Sequence, residues 1–391
     1  MNLHEFQAKE ILGRRGVPVP EGQVAWTPDE AARVAREIRA PRFAVKAQIL
    51  AGGRGEAGGI HFGATAESVG KLAGSLIGRT LVTSQTGAEG RTVRRVYVEA
   101  AVAAAREVYL AILVDRAKGG VALVGTEAGG GDVEARIRAD PGLLATLPLE
   151  GLRRPDDAAL RGFAGRIGLG GAVEAKATAL MKALVVTLLE LDATLIEINP
   201  LVVTEADDLV AVDVKMVLDD NALYRHPDLR ALKDDDEADP VELEAQRHDI
   251  NFVRMDGDIG VVTNGAGLGL ATHDMLSDAG GRPANFMDIR TTATSLQIAK
   301  GIGLLLSNPK VAVILVNVHG GGMTRCDTIV EALGIAVRRS GRSVPVVFRV
   351  AGQNAGQART MMVDRRIRHE RVDGMADAAK RAVALAKGGR G

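Results

Sequence analysis

Apolar positions in the first part of the chain alternate between helical and extended spacing. Leu3 to Arg14 repeats at helical spacing and stops at Gly16, and Pro28 to Ile38 does the same with Thr27 placed as an N-cap. Arg42 to Leu50 then reads as a strand, Ala66 to Leu76 as a helix, and Val93 to Glu99 as extended chain. Glu107 to Asp115 and Gly120 to Gly125 read as paired strands ahead of an acidic, glycine-rich turn, Thr126 to Asp132. Mixed strands with helices outside them predict an α+β arrangement for this part. The most apolar stretch, Thr178 to Ile198, is interrupted by Lys182, Glu190 and Asp192, so it predicts a buried helix running into a strand and not a membrane span. After residue 250 the rhythm becomes strand, glycine turn, helix. Asp258 to Thr263 enters NGAGLG and a helix to Gly280; Val311 to Val318 enters HGGGMTRCD and a helix to Arg339; Val344 to Val350 enters AGQNAG and another helix. This alternation predicts an α/β unit with a parallel sheet, whose ligands sit at the carboxyl ends of the strands. Between the two patterns lies the acidic run KDDDEADPVE, where the domain boundary is expected, giving domains 1–238 and 239–391.

The segment LIEINPLVVTEADDLVAVDVKMVLDDN, Leu195 to Asn221, carries a hairpin signal: two Ile- and Val-rich runs around the polar tip Glu205 to Asp208. Alternation along a strand puts Glu197 and Asn199 on one face of the first run and Asp213 and Lys215 on one face of the second. A fold near residue 206 brings Asn199 opposite Asp213. Clustered hard oxygens of this kind suit Mg²⁺, which completes its shell with water and phosphate oxygens. A hairpin with one solvated face accounts for the same pattern.

Composition narrows the alternatives. Lys plus Arg and Asp plus Glu both total 49, so no net field favours nucleic acid or an anionic membrane. The single cysteine, Cys326, excludes an internal disulfide, and the start MNLHEFQAKE is too polar for a secretory signal, so a cytoplasmic protein is expected. The 47 glycines gather at strand ends. AGGRGEAGG directly follows the strand through Lys46, and its amides, with Lys46 and Arg54, suit phosphate oxygens; a plain surface loop is the other reading. No Walker A motif occurs, and neither NGAGLG nor HGGGMT has the dinucleotide spacing, so each is either a tight turn or an anion contact. His319 and Cys326 read as structural more readily than catalytic.

Taken together, MNLHEFQAKEIL, VKAQILAGGRGEAGG, LVTSQTGAEG, REVYLAILVDR, LIEINPLVVT, VDVKM, DDNALYRHPDLR, NGAGLGLATHD and GGRPANFMDI, in this order over nearly the whole chain, resemble the β subunits of ADP- or GDP-forming succinate–CoA ligases and the similar malate–CoA ligases. The resemblance implies an N-terminal ATP-grasp domain followed by a flavodoxin-like, parallel-sheet CoA-ligase domain. It implies Lys46, Gly53, Arg54, Gly55, Glu99, Val102 and Glu107 as contacts to ATP or GTP, and Asn199 and Asp213 as Mg²⁺ ligands. Glu197 would be the catalytic carboxylate that meets a phosphohistidine of an α subunit, and that subunit would bind most of the CoA. Asn264, Gly321, Gly322 and Met323 would contact the carboxylic acid and phosphate. A stand-alone ATP-grasp ligase and a non-catalytic nucleotide-binding subunit are the other classes to weigh.

Three positions depart from the family pattern. Ile289-Arg290-Thr291-Thr292-Ala293 stands where a triple-glycine turn is usual, HGGGMT is one residue longer than the usual turn, and Glu56 replaces a common lysine. Arg290, Thr291 and Thr292 are therefore candidates for selecting an acid more polar than succinate.

Overall fold

The computed structural model describes residues 1–149, 155–321 and 323–388. The chain divides into two compact units, Met1–Glu237 and Ala238–Gly391.

Among the described residues the first unit holds two larger antiparallel sheets and a two-stranded one, Thr80–Leu81 with Arg91–Thr92. In the larger, seven-stranded sheet the order runs Asn2–Leu3, Val214–Leu218, Ala193–Val203, Arg106–Asp115, Gly120–Thr126, Ala145–Leu149, with Leu209–Ala211 also paired to Ala193–Val203. One face is closed by the helices Asp157–Arg166 and Glu174–Glu190, whose Leu160, Phe163, Met181, Leu184 and Leu188 pack on Leu110, Ile112, Leu123, Ile196 and Ile198. The polar interruptions of the apolar stretch fall where they do least harm: Lys182 is half-buried, Glu190 is exposed, and Asp192 lies in the turn between helix and strand, where it adopts a left-handed φ of 51°. The smaller sheet, ordered Gly22–Ala25, Val96–Ala100, Phe43–Ala47, Ile60–Gly63, is covered by the helices Pro28–Glu37 and Ala66–Leu76. Thr27 caps the first by accepting from the Glu30 amide, and Thr65 caps the second in a reciprocal box with Ser68. The N-terminal helix begins at Glu5 and not at Leu3, because Asn2 and Leu3 are drawn into the large sheet opposite Val217 and Met216.

The second unit is a six-stranded sheet ordered Asn251–Arg254, Asn285–Ile289, Ile259–Asn264, Val313–Gly320, Val346–Gly352, His369–Arg371, parallel except for the first, edge strand. Strand alternation sorts its apolar residues onto two buried faces. Ile259, Val261, Val313 and Leu315 meet Leu276, Ala378, Ala382 and Val383 on one side, while Val262, Ile314 and Val316 meet Ile298, Ile302, Ile329 and Leu333 on the other. Full burial of each such side chain is worth about 1.5–3 kcal/mol. The loops at the carboxyl ends of these strands are thereby held on a rigid base.

Candidate active site

The hairpin folds as its alternation requires. Glu197 lies opposite Lys215 and Ile198 opposite Val214, and the next step joins the Asn199 amide to the Asp213 carbonyl at 3.0 Å. Ile196, Ile198, Val214 and Met216 point into the core, so Glu197, Asn199, Asp213 and Lys215 share the other side. These four line one cleft with Glu5, Gly53, Arg54 and Glu134, with a cavity volume of about 140 Å³. That is smaller than the roughly 300–1,000 Å³ typical of small-molecule pockets, enough for a hydrated ion and phosphate oxygens but not for a whole nucleotide. Asn199 is clamped by Gly130: its Oδ1 accepts the Gly130 amide at 2.8 Å and its Nδ2 donates to the Gly130 carbonyl at 3.2 Å. Gly130 has φ of 86°, a conformation that favours glycine, and its backbone runs between Asn199 and the exposed Glu107 carboxylate.

Behind the cleft lies a buried ionic network. Lys46 Nζ contacts Glu5 at 2.9 Å and Glu99 at 2.7 Å and donates to the Val212 carbonyl at 2.7 Å. Arg54 contacts Glu5 at 2.8 Å and Asp213 at 2.7 Å, and donates to the Ala47 carbonyl at 3.0 Å. Lys9 completes the set, 2.8 Å from Glu5 and 2.5 Å from Glu99. Three cations thus face three carboxylates, and of the six side chains only Asp213 is more than marginally exposed, at 31%. Burial alone would push the Glu5 carboxyl up, but Lys46, Lys9 and Arg54 outweigh it and hold it well below the usual range. Burial works against the charge of Lys46 and Arg54 too, yet the surrounding carboxylates, Glu5 and Glu99 for Lys46 and Asp213 and Glu5 for Arg54, keep both firmly protonated.

Glu197 stands apart from this network. Burial raises its carboxyl above the ordinary value against the pull of Lys215, with Glu134 and Asp213 raising it further and the Tyr109 hydroxyl, which donates at 3.3 Å, lowering it. The structure therefore gathers Gly53, Arg54, Glu197, Asn199 and Asp213 on the cleft, with Lys46 and Glu99 buried behind it. Gly55 lies in the glycine loop, Val102 is half-buried in the connection after Val96–Ala100, and Glu107 is exposed; none of these three lines the cleft. Sequence reasoning missed Glu5, Lys9, Tyr109 and Glu134. Glu5 and Lys9 had a signal, since with Ala8 and Leu12 they occupy the buried face of their helix, an unusual place for two charges.

Asn199 and Asp213 fit a Mg²⁺ ion by donor chemistry, because both offer hard oxygens where their backbones bond just beyond the Ile198–Val214 pair, and the amide oxygen keeps a lone pair beyond the one Gly130 uses. His4, Asp234 and Glu237 also converge, with His4 Nε2 at 2.7 Å and 3.8 Å from the two carboxylates. There the Arg95 guanidinium already bonds Asp234 and supplies the positive charge.

In the second unit the strand ends bring the remaining candidates near one another. Asn264 ends its strand beside Ile289, and its side chain clasps the His319 backbone, donating to the carbonyl at 2.8 Å and accepting the amide at 2.9 Å. The Gly265 amide donates to Asp288 at 2.6 Å. Gly321 forms a tight turn with Thr324, Met323 is 71% exposed, and Gly322 lies outside the described residues. Thr291 and Thr292 are exposed in the turn after Asn285–Ile289. Arg290 is exposed too, but it leans toward the edge strand, 3.3 Å from Asn251 and 3.7 Å from Asp249, so part of its charge is already answered.

Residues 2–203 match the ATP-grasp domain model and residues 262–388 the CoA-ligase model, which defines a two-domain ligase subunit of the ATP-grasp, CoA-ligase type. In overall fold the chain is similar to an ATP citrate lyase from Methanothrix soehngenii solved with citrate and coenzyme A, at TM-score 0.74 and 16% identity over 99% of each chain. It is 43% identical to the succinate–CoA ligase [ADP-forming] subunit beta of Acidiphilium cryptum over 99% of both chains. The Desulforapulum autotrophicum subunit is 39% identical over 98% of this chain and 100% of its own length. The chain belongs to the family of ADP-forming succinate–CoA ligase β subunits.

Proposed function

We propose that this chain is the nucleotide-handling β subunit of a nucleoside-diphosphate-forming acid–CoA ligase, working in the cytoplasm with an α subunit that carries CoA and a phosphorylatable histidine. The observation that supports this most is the convergence of Glu197, Asn199 and Asp213 on one cleft beside Arg54, with Lys46 directly behind. Mg²⁺, held by Asn199 and Asp213, would neutralise phosphate charge and fix the orientation of the transferred group. Lys46, Arg54 and the amides of the Gly53–Gly55 loop would hold phosphate oxygens, and Glu99, Val102 and Glu107 the rest of an ATP or GTP molecule. For a phosphate to reach Lys46, one of its present contacts to Glu5, Glu99 or the Val212 carbonyl must lengthen. Glu197 in its ionised form would steady the imidazole of an arriving phosphohistidine and release it as the phosphoryl group leaves. Catalysis on this chain is then positioning and electrostatic stabilisation.

The acid would be bound at the strand ends around Asn264, Gly321, Gly322 and Met323. Succinate is the first expectation from the names of the relatives. The exposed Thr291 and Thr292, where the family usually has glycines, favour a hydroxylated dicarboxylate such as malate as the second reading. Mixing the full chain with its α partner and γ-labelled ATP should give a phosphohistidine on α. Nucleotide binding without any such transfer would leave a regulatory subunit as the surviving reading. With the assembled enzyme, turnover across a panel of acids decides between succinate and its hydroxylated analogues.

A further inference from the structure

We propose that Glu5 is a positioning residue of the nucleotide site, the anion that sets where Lys46 and Arg54 stand; this rests on the nucleotide reading above. Its carboxylate is 1% exposed and receives four donors. Oε1 receives Lys46 at 2.9 Å and Lys9 at 2.8 Å, and Oε2 receives Arg54 at 2.8 Å and the Gln48 amide at 3.3 Å. Gln48 is itself fixed, accepting the Phe6 amide at 3.2 Å, so the start of the N-terminal helix and the end of the Phe43–Ala47 strand are tied at this point.

A site for phosphate needs cations, and cations buried side by side repel unless an anion stands between them. Glu5 is placed to do this: it touches both Lys46 and Arg54, one on each oxygen, whereas Glu99 is bonded to Lys46 and Asp213 to Arg54. Without its charge the two cations would keep these separate partners, so each would remain neutralised. Nothing shared would then fix the distance between them, and Arg54 would lean wholly on Asp213, the carboxylate assigned to the metal. Glu5 does not touch the reacting atoms in this scheme; it acts through the two cations, from the first turn of a helix that precedes the rest of the site in sequence.

The test is isothermal titration of Mg-ADP into the full chain, for wild type, Glu5→Gln, Lys46→Met and the double variant. Glu5→Gln should weaken binding by about ten- to hundredfold, the equivalent of losing charge-assisted contacts. In the Lys46→Met background the same change should cost clearly less, since half of what Glu5 positions is gone. In the enzyme assembled with its α partner, KM for nucleotide should rise while kcat changes little. Glu5→Asp keeps the charge, and with it the fold, but draws the oxygens back by one bond. It should lose affinity with a smaller fall in melting temperature than Glu5→Gln. Wild-type affinity in Glu5→Asp and Glu5→Gln, or losses that simply add in the double variant, would overturn the proposal. Failure of the wild type itself to bind Mg-ADP would instead overturn the nucleotide reading, and this inference with it.

Discussion

Lys9 offers the sharpest test of the buried network, because it lies in the network without lining the cleft. Its ammonium is 1% exposed and contacts Glu5 at 2.8 Å and Glu99 at 2.5 Å, with the Tyr97 ring 5.2 Å away. Each contact is worth gross about 6 kcal/mol at an effective dielectric of about 20, and desolvation of the charges takes back most of it. Replacement by methionine keeps the stem's volume and removes the charge, leaving three carboxylates facing two cations in a dry site. Breaking a buried pair in this way costs about 3–5 kcal/mol. Against a total stability of about 5–15 kcal/mol that is a large loss, and for a unit of this size it corresponds to about 6–20 °C in melting temperature. Thermal and urea unfolding of the full chain, followed by far-ultraviolet circular dichroism, would measure it in the transition of the first unit. Adding Glu99→Gln to Lys9→Met should recover part of the loss, since it removes one uncompensated charge. A Lys9→Met chain as stable as the wild type, or a double variant weaker than either single by the full sum, would refute the coupling described here.

Other expectations follow from single residues. Glu197 has a carboxyl pKa raised by burial, so the folded chain holds that proton more tightly than the unfolded one and the ionised form costs stability once the pH is above the ordinary carboxylate value. Glu197→Gln should therefore melt higher than wild type at neutral pH, with the gap closing as the pH is lowered through the carboxylate range, while phosphoryl transfer to α falls. Glu5 has the opposite sign: its stabilisation is present above the unfolded carboxylate pKa and disappears only as the pH drops through its depressed folded value, so acid titration of the first unit should unfold it late and Glu5→Gln should flatten that titration. In the second unit, Gly352 has φ of 84° and a Cβ there would stand 2.0 Å from the Gly320 carbonyl oxygen. Gly352→Ala should cost about 3 kcal/mol or more in urea unfolding and disturb the end of the Val313–Gly320 strand that it pairs with.

Much of the architecture could be read directly because it depends on local rules. Helical spacing with Thr27 as a cap, the strand, glycine turn and helix rhythm after residue 250, and the alternation in the hairpin all express side-chain direction, which the backbone period dictates. That is why Asn199 and Asp213 could be placed opposite each other before any coordinates. Less legible were Asn285–Ile289 and the edge strand Asn251–Arg254, where short, mixed sequences become strands only because a neighbouring strand supplies their hydrogen bonds.

The sequence by itself determined the order of the two kinds of domain, the faces of the hairpin and the family resemblance carried by its motifs. Only the tertiary structure decided which charges answer which. Glu5 and Lys9 come from the N-terminal helix, Lys46 and Arg54 from a strand and loop of the small sheet, Glu99 from another of its strands, and Asp213 from the link between two strands of the large sheet. Separations of up to 166 residues close to within 3 Å in that network, and no local period encodes them. The physical reason is that a buried charge takes its properties from whatever opposite charge the packing of distant elements brings beside it.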